Sequence, residues 1–341
     1  MSEPAFRNYH VKDEHGGWAL IAILRQIRPE EAWSQARRLI ENRHVEVNGN
    51  LCVDEGRKLK PGDVIKIWKE PRATPPRSED VRIRYIDTHL VVVEKPAGMT
   101  TLRHSEEQDW PKRRRQLQPT LDEVLHQILA RKAKNRGQPR KGQRVKPPSL
   151  RAVHRLDRET SGVMVFARSV QAERQLVQMF RKHDLHRVYL AIAHGKVREQ
   201  TFESYLVRDR GDGLRGSTRQ TELGKHAVTH VRPIEDLGDY TLVECRLETG
   251  RTHQIRIHLA EAGHMVCGEK VYNHLLHGKP IEDRSGAQRQ ALHAAELGFK
   301  HPITGEPLQF EMPLPADMAR LLARLREKKK APRSPLPPEE A

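Results

Sequence analysis

Val153-His154-Arg155-Leu156-Asp157-Arg158-Glu159-Thr160-Ser161-Gly162, followed by Val163-Met164-Val165-Phe166-Ala167, sets a charged turn immediately ahead of an apolar strand. A lone aspartate at such a point is ordinarily a turn or capping residue. Working outward, Leu90-Val91-Val92-Val93 is a β-branched run that stops at Lys95-Pro96 and Gly98, and Tyr189 alternates with Val188 and Leu190 as a strand residue does. Around Arg256, alternation along a strand puts Ile255 and Ile257 on one face and Gln254, Arg256 and His258 on the other, facing a cleft.

A chain of 341 residues has room for one large domain and one small one. Lys and Arg outnumber Asp and Glu by 61 to 45, a positive field that concentrates polyanions, so nucleic acid is the expected partner. No apolar run approaches the ~18 residues of a spanning helix, and Met1–Asp13 lacks the apolar stretch of a secretory signal. A cytoplasmic location without membrane contact follows as the expectation. Cys52, Cys245 and Cys267 are too few and too scattered for a disulfide framework or a four-thiolate zinc site. His253 and His258 lack the i, i+4 pairing with Glu that marks a zinc-hydrolase helix, so no metal is expected. Gly211, Gly213 and Gly216 satisfy G-x-G-x-x-G, but a strand-like stretch follows them instead of a phosphate-binding helix, and they read as a loop.

From Trp18 to Lys69 the pattern is two helices and then a short sheet. Pro29 suits the first position of the second helix, with Glu30 and Glu31 at its positive end and Trp33, Ala36, Leu39 and Ile40 on its apolar face. Arg37 and Arg38 lie on the opposite, basic face. Val45 and Val47 alternate up to the Asn48-Gly49 turn, after which Leu51 and Val53 resume, and Pro61-Gly62-Asp63 turns the chain into Val64–Ile67. The strings SQARRLIENRHVEVNG and KLKPGDVIKI resemble the S4 RNA-binding domain of ribosomal and RNA-modifying proteins, with Arg43 standing where that family carries glycine. Domain boundaries are expected at 1–70 for this unit, 71–80 for a proline-rich linker, 81–326 for the main domain and 327–341 for a disordered tail. Within the main domain, 103–148 reads as a basic insertion holding one helix from Pro119-Thr120 through Ile128 and a solvated loop over 129–150.

The string HRLDRETSG closely resembles the signature of the RluA-type pseudouridine synthases, and it places their catalytic aspartate at Asp157. RVYLAIAHG resembles the tyrosine motif of that family, at Tyr189, and GRTHQIRIHLAEAGHMVCGEKVYN its arginine motif, at Arg256. LVVVEKPAGM and LHAAELGFKHPITGEPLQFEMPLP match its opening strand and closing block, in the family's order. The resemblance implies an α+β catalytic fold with a mixed, largely antiparallel sheet and a central cleft, beside a small α+β S4-like unit. It implies isomerisation of uridine in structured RNA, large-subunit ribosomal RNA ahead of transfer RNA, by a monomer that needs no cofactor. The competing possibility is a non-catalytic RNA-binding or ribosome-assembly protein on the same fold.

Chemistry and resemblance agree. Breaking a glycosidic bond with a carboxylate requires that it stay ionised in a partly dry site, so a cation must oppose the effect of burial. Arg256 would supply it through a two-pronged pair with Asp157. The Tyr189 ring would stack on the uracil and its hydroxyl assist loss of the C5 proton. A base that must leave its stack needs something to hold the gap, the role implied for Arg155. His154, Arg251, His253, Arg37 and Arg38 complete the expected RNA contacts.

Overall fold

The computed structural model describes residues 6–48, 50–69, 71–72, 76–103, 107–108, 110, 115, 118–135, 149–211, 213–275, 278–279 and 281–330. The chain divides into two units, Met1–Pro76 with Arg103–Thr120, and Arg77–Leu102 with Leu121–Ala341.

In the first unit β1 (Phe6–His10), α1 (Leu20–Ile27), α2 (Trp33–Glu41), β2 (Val45–Val47), β3 (Asn50–Leu51) and β4 (Val64–Trp68) follow one another, and the sheet order is β1-β4-β2-β3. Leu20, Ile23 and Leu24 of α1 and Ala36 and Ile40 of α2 pack on Val45, Val47 and Ile65. Hairpin β2–β3 forms as expected, with Asn48 at φ 52° and its Oδ1 accepting the Val64 N–H. Gly49 lies outside the described residues.

Two local expectations need correction. Pro29 belongs to a turn, not to the helix: Arg25 Nη1 donates to the carbonyls of Arg28 and Pro29, and α2 starts only at Trp33. Trp33 is therefore 54% exposed instead of facing the core, with the Arg25 guanidinium 5.7 Å from its ring centroid. Strand β1, within the charged N-terminal stretch, pairs along its whole length with β4. Arg43 adopts φ 65°, the conformation a glycine would take, and the Arg43 Nε bond to the Arg72 carbonyl holds it there. Arg37 and Arg38 are exposed as expected, Arg37 bonded to Glu55 at 2.6 Å.

The second unit comprises β5 (Arg82–Ile86), β6 (Leu90–Lys95), α3 (Leu121–Asn135), β7 (Arg151–Ala152), β8 (Ser161–Ala167), α4 (Val170–Lys182), β9 (His186–His194), β10 (Gln200–Val207), β11 (Gly216–Thr218), β12 (Lys225–Asp236), β13 (Tyr240–Leu247), α5 (Gln254–Glu261), β14 (Leu292–Lys300), β15 (Pro307–Glu311) and α6 (Ala316–Lys330). Its sheet runs β11-β10-β12-β13-β9-β14-β8-β6-β5, with β15 on β14 and β7 on β8. Pairing is antiparallel among the described residues except between β14 and β8. The mixed, largely antiparallel α+β architecture is the one the resemblance implied.

Both faces of the central strands are covered, which is why β6 and β8 read as unbroken apolar runs. Val91, Val93, Met164 and Phe166 point to α3, while Leu90, Val92, Val163 and Val165 point to Ala172 and Leu176 of α4. On the far half of the sheet, Met318, Leu321, Leu322 and Leu325 of α6 pack on Ile192 and Val243. Gly162, at φ 127°, permits the parallel contact, since a Cβ there would lie 2.2 Å from the Ala294 carbonyl oxygen.

Helix α3 continues to Asn135, past the point where a loop was expected at Leu129, because Leu129 is buried and Ala130, Arg131 and Lys132 are good helix formers. Likewise α6 carries the helix through Lys330 into the expected tail. The rest of the expected loop and tail, 136–148 and 331–341, falls outside the described residues. No helix among the described residues is long and apolar enough to cross a membrane.

Candidate active site

Asp157 sits on the turn between β7 and β8, and every carbonyl from Leu156 to Thr160 has a donor. Thr101 Oγ1 donates to Leu156 O at 2.8 Å, and the Asp157 carbonyl takes the Thr160 N–H at 3.1 Å. Lys95 Nζ donates to Arg158 O at 3.0 Å, to Thr160 O at 2.7 Å and to Pro96 O at 3.1 Å. Arg289 Nη1 reaches Glu159 O at 2.9 Å, and Gln290 Nε2 reaches Thr160 Oγ1 at 2.7 Å. Lys95 is fully buried, which pushes its pKa down to about 7, and an ammonium's three N–H groups match its three carbonyl partners. The backbone carrying Asp157 is thus tied down from two directions in the chain.

Burial acts to raise the Asp157 pKa, but His253, Arg256 and Arg155 together outweigh it and hold the carboxyl below its usual value. Arg256 Nη1 donates to Asp157 Oδ2 at 3.0 Å, and His253 Nε2 lies 3.7 Å from Oδ1. Burial also pushes His253 down to about 4, against the pull of Asp157. At pH 7 that ring is neutral, and the full charge bonded to Asp157 is that of Arg256.

The strand expected at Gln254–His258 is instead helix α5, and every side chain from Gln254 to Ala260 is buried. Polar and apolar residues alternate there as in a strand, but with no solvent face the helical period leaves no trace in hydropathy. His253 at φ 61° precedes the first turn, where Gln254 Oε1 accepts from Thr249 Oγ1 and the Arg251 N–H. His258 turns away from the cleft and bonds to Ser204 and Thr229. The two-pronged partner of Arg256 is not Asp157 but Glu269, at 2.6 Å from Nε and 2.8 Å from Nη2. Glu269 also accepts the N–H groups of Lys270, Val271 and Tyr272, and Asp157 receives the one remaining arm of the guanidinium.

These groups open on a cleft of about 480 Å³ lined by Asp157, Tyr189, Arg256, His154, Arg155, Arg251 and His253, among others. All the expected site residues except Arg37 and Arg38, which belong to the other unit, are therefore brought together. Burial raises the Tyr189 pKa, and its hydroxyl makes no hydrogen bond among the described residues. His154 accepts the Val165 N–H at Nε2 and stacks on Phe180 at 4.5 Å, and burial pushes its pKa down to about 3. Arg155 is exposed in the cleft, and Arg251 Nε donates to the His226 carbonyl. Glu269, Lys95 and Arg187 escaped the sequence reading. All three lie inside the quoted motif blocks, where only three-dimensional proximity marks their part. Of the described residues, His194, Cys267 and Asp283 could converge on a metal, with ligand atoms within 4.8 Å of one another, but none of them lines the cleft.

Residues 89–261 match the family described as RNA pseudouridylate synthase, and residues 21–65 match the S4 domain. The ribosomal large subunit pseudouridine synthase D of Xanthomonas campestris pv. campestris is 32% identical over 339 residues, covering 96% of this chain and 95% of that one. An uncharacterized RNA pseudouridine synthase of Bacillus subtilis is 36% identical over 305 residues, 87% of this chain and 91% of the relative. Among solved structures, human RNA pseudouridylate synthase domain containing 4 is similar with a TM-score of 0.55 at 25% identity, covering 72% of this chain and 92% of that one.

Proposed function

The chain belongs to the RNA pseudouridylate synthase family and is an isomerase that forms pseudouridine in RNA, and from that premise we propose that Asp157 is its catalytic carboxylate and large-subunit ribosomal RNA its substrate. One observation carries the assignment of Asp157: a carboxylate inside a cleft, bonded to one arm of a buried arginine and held below its usual pKa against burial by His253, Arg256 and Arg155 together. Forming pseudouridine means breaking the bond from C1′ to N1, turning the freed uracil and joining its C5 to C1′. An ionised Asp157 attacks the sugar or removes a proton from it, and Arg256 fixes the angle of approach. Tyr189 offers a ring for the base to lie on and an unengaged hydroxyl near it. Arg155, exposed beside Asp157, is available to occupy the gap left in the RNA stack.

Ribosomal RNA as the substrate rests on the names of the relatives and on the S4-like unit with exposed Arg38. The implied setting is a cytoplasmic monomer acting on RNA. Asp157→Asn preserves volume and removes charge, so it should abolish turnover while RNA affinity stays within about threefold. Multiple turnover by that variant would remove Asp157 from the chemistry. Pseudouridine mapping in cells with and without the gene tests the substrate, and differences confined to transfer RNA would replace it.

A further inference from the structure

Two arginines are buried in the wall of the cleft, and their surroundings are opposite. Arg256 is shared between two carboxylates, Asp157 and Glu269, so that trio carries a net negative charge. Arg187 is 9% exposed and has no carboxylate within ion-pair distance among the described residues. It lies on β9 two residues before Tyr189, so both side chains leave the same face of the strand and line the same cleft. Nη2 is committed to the carbonyls of Leu247 and Glu248 at 3.1 and 3.0 Å, and the guanidinium carbon lies 5.6 Å from the Phe180 ring centroid. Nε is buried without a partner, and Nη1 makes no hydrogen bond among the described residues. A Cβ on Gly250 would lie 3.1 Å from Nη1, so the glycine leaves this edge of the guanidinium room. A buried cation with unused donors is costly unless something negative arrives.

The reaction supplies such a group. Heterolysis of the bond from C1′ to N1 leaves its electron pair on the base, and uracil departs as an anion with charge on N1, O2 and O4. Whether Asp157 bonds to C1′ or takes a ribose proton, its own charge is consumed in that step, and the negative charge passes to the base. When C5 attacks C1′, Asp157 leaves C1′ or hands its proton back to the ribose and so recovers its charge, while C5 loses its proton and N1 gains one. Resting on the proposed function, we propose that Arg187 is the catalytic cation that receives the charge of the detached uracil, donating to it from Nη1.

The test uses full-length enzyme and a ribosomal RNA fragment in which wild type forms pseudouridine, made with uridine or 5-fluorouridine at the target position. Wild type without any product would overturn the proposed function and leave no reaction to assign. Given turnover, Arg187→Met should slow single-turnover bond cleavage at saturating RNA by about 100-fold, the usual loss for one charge-stabilising donor. Affinity for RNA should stay within about threefold. Fluorine already stabilises the departing anion, so the deficit should shrink on 5-fluorouridine. Arg187→Lys keeps the charge without the planar fork and should recover part of the rate. If Arg187→Met does not fold, the lysine variant still reports, through a smaller deficit that must also shrink on the fluorinated base. An equal deficit on both bases, or an unchanged rate, overturns the proposal. So does a loss confined to affinity with a shallower salt slope, the mark of a phosphate contact.

Discussion

Arg256 divides one planar group between two carboxylates, and the division fixes what each can do. Glu269 holds two arms and three backbone N–H groups, which sets the plane of the guanidinium before any substrate enters. Glu269→Gln should therefore cost about 2 to 4 kcal/mol of stability, because it removes one charge from a buried pair. Turnover should fall more than about tenfold as the arm facing Asp157 loses its orientation. Denaturant unfolding and single-turnover rates measure the two effects, and a full loss of stability with an unchanged rate would confine Glu269 to the fold. Asp157, Tyr189 and Arg256 were legible because ordered motifs surround them. Glu269 stood in one of those same motifs unremarked, since no spacing rule links a carboxylate to an arginine 13 positions earlier.

At the scale of elements, the Asp157 turn is as rigid as its donors. Lys95→Met keeps an unbranched chain but leaves the carbonyls of Pro96, Arg158 and Thr160 without the ammonium. A loss of about 3 kcal/mol or more is expected, with slower turnover from a displaced Asp157. Thermal unfolding checks the first, and steady-state kinetics at a permissive temperature the second. An unchanged kcat would show that Thr101, Arg289 and Gln290 suffice to place the carboxylate. The elements most visible in the sequence were those with contrast: the apolar runs of β6 and β8, and the hairpin turn at Asn48. Helix α5 was misread because burial on all sides erases the period that distinguishes a helix from a strand. Strand β1 was hidden for the opposite reason, being a polar edge whose only mark is its pairing with β4.

At the scale of the molecule, burial pushes His154 down to about 3, and His253, His258 and His293 to about 4, from an ordinary 6.5, which leaves these rings neutral at pH 7. Unfolding releases them to their ordinary value, so between pH 6.5 and 4 the unfolded chain binds more protons than the folded one. Stability then falls as pH drops through that window, before depressed carboxylates such as Asp157 begin to take up protons. The melting temperature should decline from pH 7 to pH 5, while imidazole NMR shows these four rings still neutral in folded protein at pH 5. Protonated rings in the native state at that pH would refute the account. The sheet order bears on how the molecule comes into being. Strand β14 is among the last made, yet it lies between β9 and β8. Until residues 292–300 leave the ribosome, no strand joins the β6–β8 ribbon, beside which Asp157 lies, to the β9–β13 ribbon that carries Tyr189. A nascent or prematurely ended chain has the N-terminal unit, but no assembled pocket in which to begin cutting a glycosidic bond.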